Sequence, residues 1–378
     1  MSPSLRLDLF DILRGYAAVV PPRILHYPDD LPWDEMHHFL LDYILLNSHF
    51  KKYPPSSAYQ HSFWKWAIAH LESTSSTEAG HSQDDEIDAR IYEHYTSLLQ
   101  FSKPQVIGTL APPQSSFVTH FWSNELGTPA NPIDISVLQT TTLRESGAFT
   151  ENGTTGLRTW PASLALAQFL IMHSDIVCDR RVLELGSGAG LLGIVVTTLQ
   201  QLQRGKGMIT TEDPGLWMTD VHYEVLRLCR ENIALPCNKS HSHPNTHQEY
   251  LDWASALDLG QSASLTSFLQ KVDAQVVLGA DVVYDPSIIP ALLEVIRLAL
   301  SAYSEQQQQQ QKVAYMALTV RNEATFSLFL TAAEHAFVIR HHLVTSDGNF
   351  MFAAPPEGTG SLKDTIGRIR ILEMRKRE

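Results

Sequence analysis

At 378 residues the chain is too long for a single ordinary core and suits two domains. Hydrophobic residues at 44% and charged residues at 18% exclude a disordered chain, and three cysteines are too few for a disulfide scaffold. A net charge of −13 repels phosphate and gives no support to general nucleic-acid binding.

Cys178, Cys229 and Cys237 form no C-x-x-C pair, so neither structural zinc nor a redox motif is signalled, and the chain is expected in the cytoplasm with reduced thiols. Residues 1–11 carry charge without a sustained apolar run and make a poor signal peptide. The longest apolar stretches, such as residues 163–172, fall short of the ~20 needed to cross a bilayer, so no membrane association is expected.

The first third reads as helical. Residues 33–50 place Phe39, Leu40, Tyr43, Ile44 and Leu46 at helical spacing. Residues 59–72 follow with Phe63, Trp64, Ala67, Ile68 and Leu71, and residues 84–101 carry Ile87, Ile91, Tyr95, Leu98 and Leu99 behind an acidic first turn. The Ser/Thr-rich segment 73–83 reads as a mobile loop. A proline-bearing stretch with Pro112, Pro113, Pro129 and Pro132 follows. The expected division is therefore a helical region over 1–110, a linker over 111–140 and a second domain over 141–378.

Beyond the linker, short apolar runs alternate with amphipathic segments. The runs are 181–185, 216–219, 248–251, 274–280, 312–319, 337–343 and 368–375, seven candidate strands in all. Alternating strand and helix predicts a largely parallel sheet covered on both faces. Two insertions interrupt the pattern: a Gly- and charge-containing loop at 203–214, and a glutamine tract at 306–311 that reads as a surface insertion.

The strongest local signal is the run from Val182 to Gly193, in which a buried strand enters a turn with glycine at Gly186, Gly188 and Gly190 and a helix follows. Glycine lets a backbone approach a ligand closely with φ > 0, and the free N–H groups of the helix start point at whatever binds. Gly188, Gly190 and Gly193 also satisfy G-x-G-x-x-G, which alone is weak support for a dinucleotide. Glu184 argues against one. A carboxylate two residues before the first glycine suits a cationic amino group better than a pyrophosphate. The mid-chain position and the run of strands beyond it point the same way, to S-adenosylmethionine.

Acids at later strand ends support a nucleoside ligand. Asp220 closes the second strand and can accept from both ribose hydroxyls; the alternative is that it caps the next helix. Asp252 can take the donor edge of adenine and Trp253 can cover a flat base; the alternative is an ordinary surface turn. His241, His243 and His247 lie in a Ser/Asn/Pro loop without a cysteine or carboxylate pattern, and read as solvent-facing rather than metal-binding.

Val182–Gly193 followed by Asp220, Asp252-Trp253 and the D-x-x-Y run Asp281-Val282-Val283-Tyr284 resembles the class I protein-lysine methyltransferases called methyltransferase family 16. Residues 153–162, ending Trp160-Pro161-Ala162, are similar to the segment before that family's first core helix, and Thr319-Val320-Arg321-Asn322 resembles the branch acting on a lysine of translation elongation factor 2. The resemblance spans residues 140–375 by motif and 1–110 only by general character. It implies a Rossmann-like, doubly wound sheet of seven strands, mostly parallel with the last antiparallel, plus an N-terminal helical domain. It implies S-adenosylmethionine as cofactor, held by Trp160, Glu184, Gly186, Gly188, Gly190, Asp220, Asp252, Trp253 and Ala280. The implied partner is a protein, elongation factor 2, met by a monomer whose region 1–110 recognises the folded substrate or forms a structural lid.

Lysine has a pKa near 10.4, so only about one in a thousand is neutral near pH 7.4, and the enzyme must hold an ammonium, release its proton and aim the lone pair. Asp281 is the expected residue for binding and aiming that nitrogen. A carboxylate raises the amine's pKa, so the proton is expected to leave through water. Tyr284 can wall the channel and attract the cation. Alternatively, Asp281 caps a turn and Tyr284 packs. Arg321 and Asn322 either shape the channel or cap the following helix.

Overall fold

Apolar residues at helical spacing build the first part of the chain. Strand β1 (Ser4–Leu5) leads into α1 (Leu7–Ala17), which buries Leu9, Ile12, Leu13 and Tyr16 while Asp11 and Arg14 pair on its outer side at 2.8 Å. The sequence reading assigns no helix there, because charged residues interleave the apolar ones. After α2 (Trp33–Phe39) the chain widens into a π-helical turn over Leu40–Leu45, then restarts as α3 (Ser48–Lys52). The single helix expected over 33–50 is thus broken. The Asn47 side chain accepts from the N–H of His49 at 2.9 Å and caps a new start.

Helix α4 (Ser57–Ser75) is longer than predicted and runs two residues past Ser73, and α5 (Ala89–Leu99) starts later than predicted. The fold then turns to β-structure: β2 (Ser115–Trp122), β3 (Ile133–Asp134) and β4 (Gln139–Ser146). β2 pairs antiparallel with β4 from Ser115↔Ser146 to Trp122↔Gln139, and β3 pairs with β1. Much of the stretch 111–140 is therefore structured rather than a bare linker. Thr119 and Thr142 share a hydrogen bond at 3.0 Å, and the Trp122 indole N–H donates to Thr141 at 3.0 Å, so a polar-looking sequence forms a buried ladder. The core of this part is formed by Leu13, Met36, Leu40, Phe63, Trp64, Leu71 and Ile91.

The second part alternates helix and strand: α6 (Pro161–Met172), β5 (Arg181–Leu185), α7 (Leu191–Gly205), β6 (Gly215–Asp220), α8 (Tyr223–Ile233), β7 (Thr246–Tyr250), α9 (Ser262–Val272), β8 (Val276–Ala280), α10 (Ile289–Ser301), β9 (Val313–Thr319), α11 (Glu323–Ala336), β10 (Phe337–His342), α12 (Leu362–Gly367) and β11 (Ile369–Lys376). Seven strands form one sheet in the order β10-β11-β9-β8-β5-β6-β7. Strands β5 to β9 run parallel, and β11 is antiparallel to both neighbours. Seven strands with the last reversed is the predicted sheet. β9 is buried along its whole length, as a strand covered on both faces must be. The chain starts in the middle at β5, winds outward to β7 and returns to β8, so β5 and β8 flank a topological switch point. Ligands of such sheets bind outside the carboxyl ends of the strands there.

This computed structural model describes residues 4–75, 86–99, 115–123, 131–148, 153–205, 207, 214–302, 311–344, 351–356 and 361–377. The chain divides into one unit of Met1–Ala148 with Phe352–Pro356, and a second of Phe149–Met351 with Glu357–Glu378. Helix α4 occupies the loop expected over 73–83 up to Ser75, and that loop's residues 76–83, most of the insertion before β6 and the glutamine tract up to residue 310 lie outside the described residues. Gln311, at the tract's end, accepts from Arg375 at 2.7 Å. Among the described residues, no helix is long and apolar enough to cross a membrane.

Candidate active site

β5 ends at Leu185, and the next residues require glycine on two grounds. Gly186, Gly188 and Gly190 have φ of +68°, +54° and +94°. A Cβ at 186 would also stand 2.8 Å from Cγ1 of Val282, and one at 188 would stand 3.3 Å from the carbonyl oxygen of Gly156. The same position 186 faces the Trp253 ring at 3.6 Å. Four segments separate in sequence thus close on one turn: 153–160, 186–190, 252–253 and 281–284. Ser187 fastens the turn to β6. Its N–H donates to the Thr219 carbonyl at 2.9 Å, and its hydroxyl accepts from the Thr219 N–H at 3.0 Å. Gly193 belongs to α7 and faces Met218, so the third glycine of the dinucleotide pattern serves helix packing.

Two acids sit in this turn. Glu184 is 3% exposed, its Oε2 has no hydrogen-bond partner, and burial pushes its carboxyl up to about 8. A buried oxygen left unpaired is costly unless a donor arrives with a ligand. Burial also raises the carboxyl of Asp220, against the opposing pull of the His222 and Gly188 amides. Asp220 accepts from His222 N–H at 3.0 Å, while His222 itself is the N-cap of α8, so Asp220 does not cap that helix. Asp252 accepts from the Ala254 N–H at 2.9 Å and caps the short 3-10 turn Trp253–Ala256, as the surface-turn alternative anticipates.

Ala280 ends β8, and Asp281 follows with a left-handed φ of +54°. Its N–H donates to the Ala317 carbonyl at 2.8 Å. Its carboxylate accepts from the Thr319 N–H at 2.9 Å, the Thr319 hydroxyl at 3.0 Å, and both terminal nitrogens of Arg321 at 3.2 and 3.0 Å. The carboxylate expected to face an incoming amine is instead ion-paired with Arg321. The Arg321 guanidinium lies 5.1 Å from the centre of the Trp160 ring and that of Arg158 lies 5.4 Å from it, while the Trp160 indole N–H donates to the Thr155 carbonyl at 3.1 Å. Trp160 is therefore not a plain core residue. Tyr284 is largely exposed and lines, with Leu318, Thr319, Arg321, Asn322 and Phe326, a pocket of about 70 Å³. Asn322 caps α11 through the N–H groups of Ala324 and Thr325, whereas Arg321 pairs with Asp281. Sequence reasoning missed Thr319 as a donor to Asp281 and Gly156 as the wall behind Gly188. The first was visible only as part of a motif, and the second had no signal.

These residues fit S-adenosylmethionine. The unpartnered oxygen of Glu184 suits the ammonium of the amino-acid end, Asp220 suits a ribose, and Asp252 with Trp253 suits an adenine. A pyrophosphate would meet the buried Glu184 and the part-buried Asp220 instead.

A family model described as lysine methyltransferase matches residues 142–335. A Homo sapiens protein named protein-lysine N-methyltransferase EEF2KMT is 36% identical over 197 residues, 50% of this chain and 53% of its own. Its Bos taurus counterpart is 33% identical over 199 residues, 50% of this chain and 54% of its own. A Chaetomium thermophilum protein named protein-lysine N-methyltransferase EFM3 is 33% identical over 192 residues, 51% of each chain. The chain spans about half the length of the curated relatives it matches. With a match across half of its residues, laid over the sheet and the site just described, the chain belongs to the lysine methyltransferase family.

Proposed function

We propose that this chain is an S-adenosylmethionine-dependent protein-lysine N-methyltransferase that acts in the cytoplasm, as a monomer, on a lysine of translation elongation factor 2. The observation that carries the reading is the meeting of a glycine-only turn, a buried acid with an unpaired oxygen, and the D-x-x-Y run, joined where Val282 packs on Gly186. Family membership supports lysine as the acceptor. The names of the relatives, EEF2KMT among them, support elongation factor 2.

When bound, the cofactor supplies a methyl group on a sulfonium, with a good leaving group already in place. Glu184 would hold the ammonium, Asp220 the ribose hydroxyls and Asp252 with Trp253 the adenine, and Trp160 and Ala280 would complete the cofactor's site. Asp281 orients the acceptor nitrogen. The exposed ring of Tyr284 walls the mouth, where water takes the proton an ammonium must lose. The unit of Met1–Ala148 recognises the folded substrate.

Incubating the chain with labelled cofactor and purified elongation factor 2, then mapping the label by mass spectrometry, tests the reaction. A methylated lysine is expected. Label in RNA or a metabolite, or no transfer by a chain that binds cofactor, overturns it. Cross-linking to elongation factor 2 tests the recognition role. Cross-links within residues 4–148 are expected, and cross-links confined to the second unit would remove it.

A further inference from the structure

The Asp281 carboxylate has about four acceptor positions on its two oxygens. Thr319 fills two of them, one on each oxygen, through its N–H and its hydroxyl. Thr319 is 7% exposed and ends a wholly buried strand, so this grip is rigid. The Asp281 N–H bond to the Ala317 carbonyl fixes the left-handed backbone, which a non-glycine residue keeps only where its surroundings over-determine it. These restraints come from β9 and hold without Arg321.

Arg321 fills the other two positions. Its side chain is 39% exposed while that of Asp281 is 7% exposed, and its guanidinium also covers the Trp160 ring. A rigid carboxylate and an aromatic face converging on one point form a cation site. The cation in it belongs to the chain itself. Arg321 is the exposed partner of the pair, so another cation can reach the carboxylate from solvent, and exchanging one cation for another leaves Asp281 paired throughout. Arg321 also lines the pocket of about 70 Å³ beside Tyr284.

We propose that Arg321 is a plug: it occupies the acceptor cation site made by the Asp281 carboxylate and the Trp160 indole, and the substrate lysine enters by displacing it. This rests on the reading of the chain as a lysine methyltransferase. Arginine suits the role because its guanidinium stays charged in proteins and so keeps the carboxylate paired. The plug keeps a buried carboxylate paired between turnovers and sets a threshold that only a well-presented lysine passes.

The test needs no methyl transfer. The probe is n-butylammonium, the tip of a lysine side chain, titrated into the full chain and read by ligand-observed NMR. Arg321→Gln is expected to bind it at least tenfold more tightly than the wild type, and Asp281→Asn placed in that variant to abolish the gain. Arg321→Met serves as a second unplugged variant, with a thermal scan reporting that each is folded. No gain in either variant overturns the plug. Kinetics on elongation factor 2 give a second reading. The plug predicts a several-fold lower KM in Arg321→Gln with kcat not reduced. A lower kcat with KM unchanged, restored by Arg321→Lys, identifies a fixed strut and overturns the plug. If the wild type transfers nothing while the variants bind butylammonium more tightly, the function reading fails and the plug stands.

Discussion

The two units each bury a titratable group, and the contrast shows what marks a site. In the first, His120 is 4% exposed on β2, meets the edge of Phe352 at 5.7 Å, and burial pushes its imidazole down to about 4. In the second, Glu184 is 3% exposed on β5, and burial pushes its carboxyl up to about 8. Desolvation does the same to both, holding them neutral near pH 7. Their surroundings differ. His120 lies in an ordinary two-stranded ladder, opposite Thr141 and next to Thr119. Glu184 precedes three left-handed glycines, and the left-handed Asp281 stands across the turn. Among the described residues of the first unit, only Val19 has a positive φ. A buried polar group alone is packing, whereas one set against strained backbone at a switch point is prepared for a ligand.

If that contrast holds, damage to the first unit's core acts on stability and damage to the glycine turn acts on binding. Trp64 is wholly buried among Phe63, Leu71 and Ile91, so Trp64→Ala is expected to cost about 3–5 kcal/mol in a urea titration. The folded fraction should bind S-adenosylmethionine with its ordinary affinity, and a variant that folds but has lost cofactor would break the comparison. Gly186→Ala forces a methyl group against Val282 and holds an alanine at φ +68°. It is expected to weaken cofactor binding by about 100-fold, roughly 2.7 kcal/mol, by calorimetry.

Glu184→Gln sharpens the contrast through pH. The raised carboxyl binds a proton in the folded chain between about 4.5 and 8 that the unfolded chain has lost. Stability of the cofactor-free chain therefore falls as pH rises through that window. For His120 the sign is reversed: its lowered value makes stability fall as pH drops from 6.5 towards 4. Glu184→Gln should flatten the alkaline arm above pH 6.5, where Glu184 titrates and His120 does not, steepen the acid arm between 4.5 and 6.5, and stabilise the cofactor-free chain at pH 8. It should also weaken cofactor binding about tenfold, because a neutral amide replaces the ammonium's partner. An unchanged alkaline arm would remove Glu184 from the account.

Legibility in the sequence followed the physics of each region. Strands β5, β6, β8 and β9 were readable because a sheet buried on both faces writes apolar runs such as Val313–Thr319, whereas the edge strands β7 and β10 carry exposed polar residues. The glycines were readable because only glycine meets their backbone demands. β2 and β4 were not, since their Ser/Thr/His-rich faces look like loop until the hydroxyls pair across strands. Arg321 on Asp281 was hidden for another reason. The two are forty residues apart, and only the β8–β9 register brings them together.

The smallest expected effect concerns the break at Asn47. Residues 33–50 keep one apolar period, and that period alone predicts one helix. The interruption comes from a side-chain oxygen that competes with the backbone, accepting from His49 at 2.9 Å while the Asn47 amide donates to the Tyr43 carbonyl at 3.0 Å. Asn47→Ala removes both bonds, and loss of such a cap costs about 1 kcal/mol. The urea midpoint should fall by that amount, with cofactor affinity unchanged because the residue belongs to the packing unit. A null effect on stability would mean that packing of Ile44 and Phe50, both buried on either side of the break, sets the path of the chain there and the asparagine only follows it.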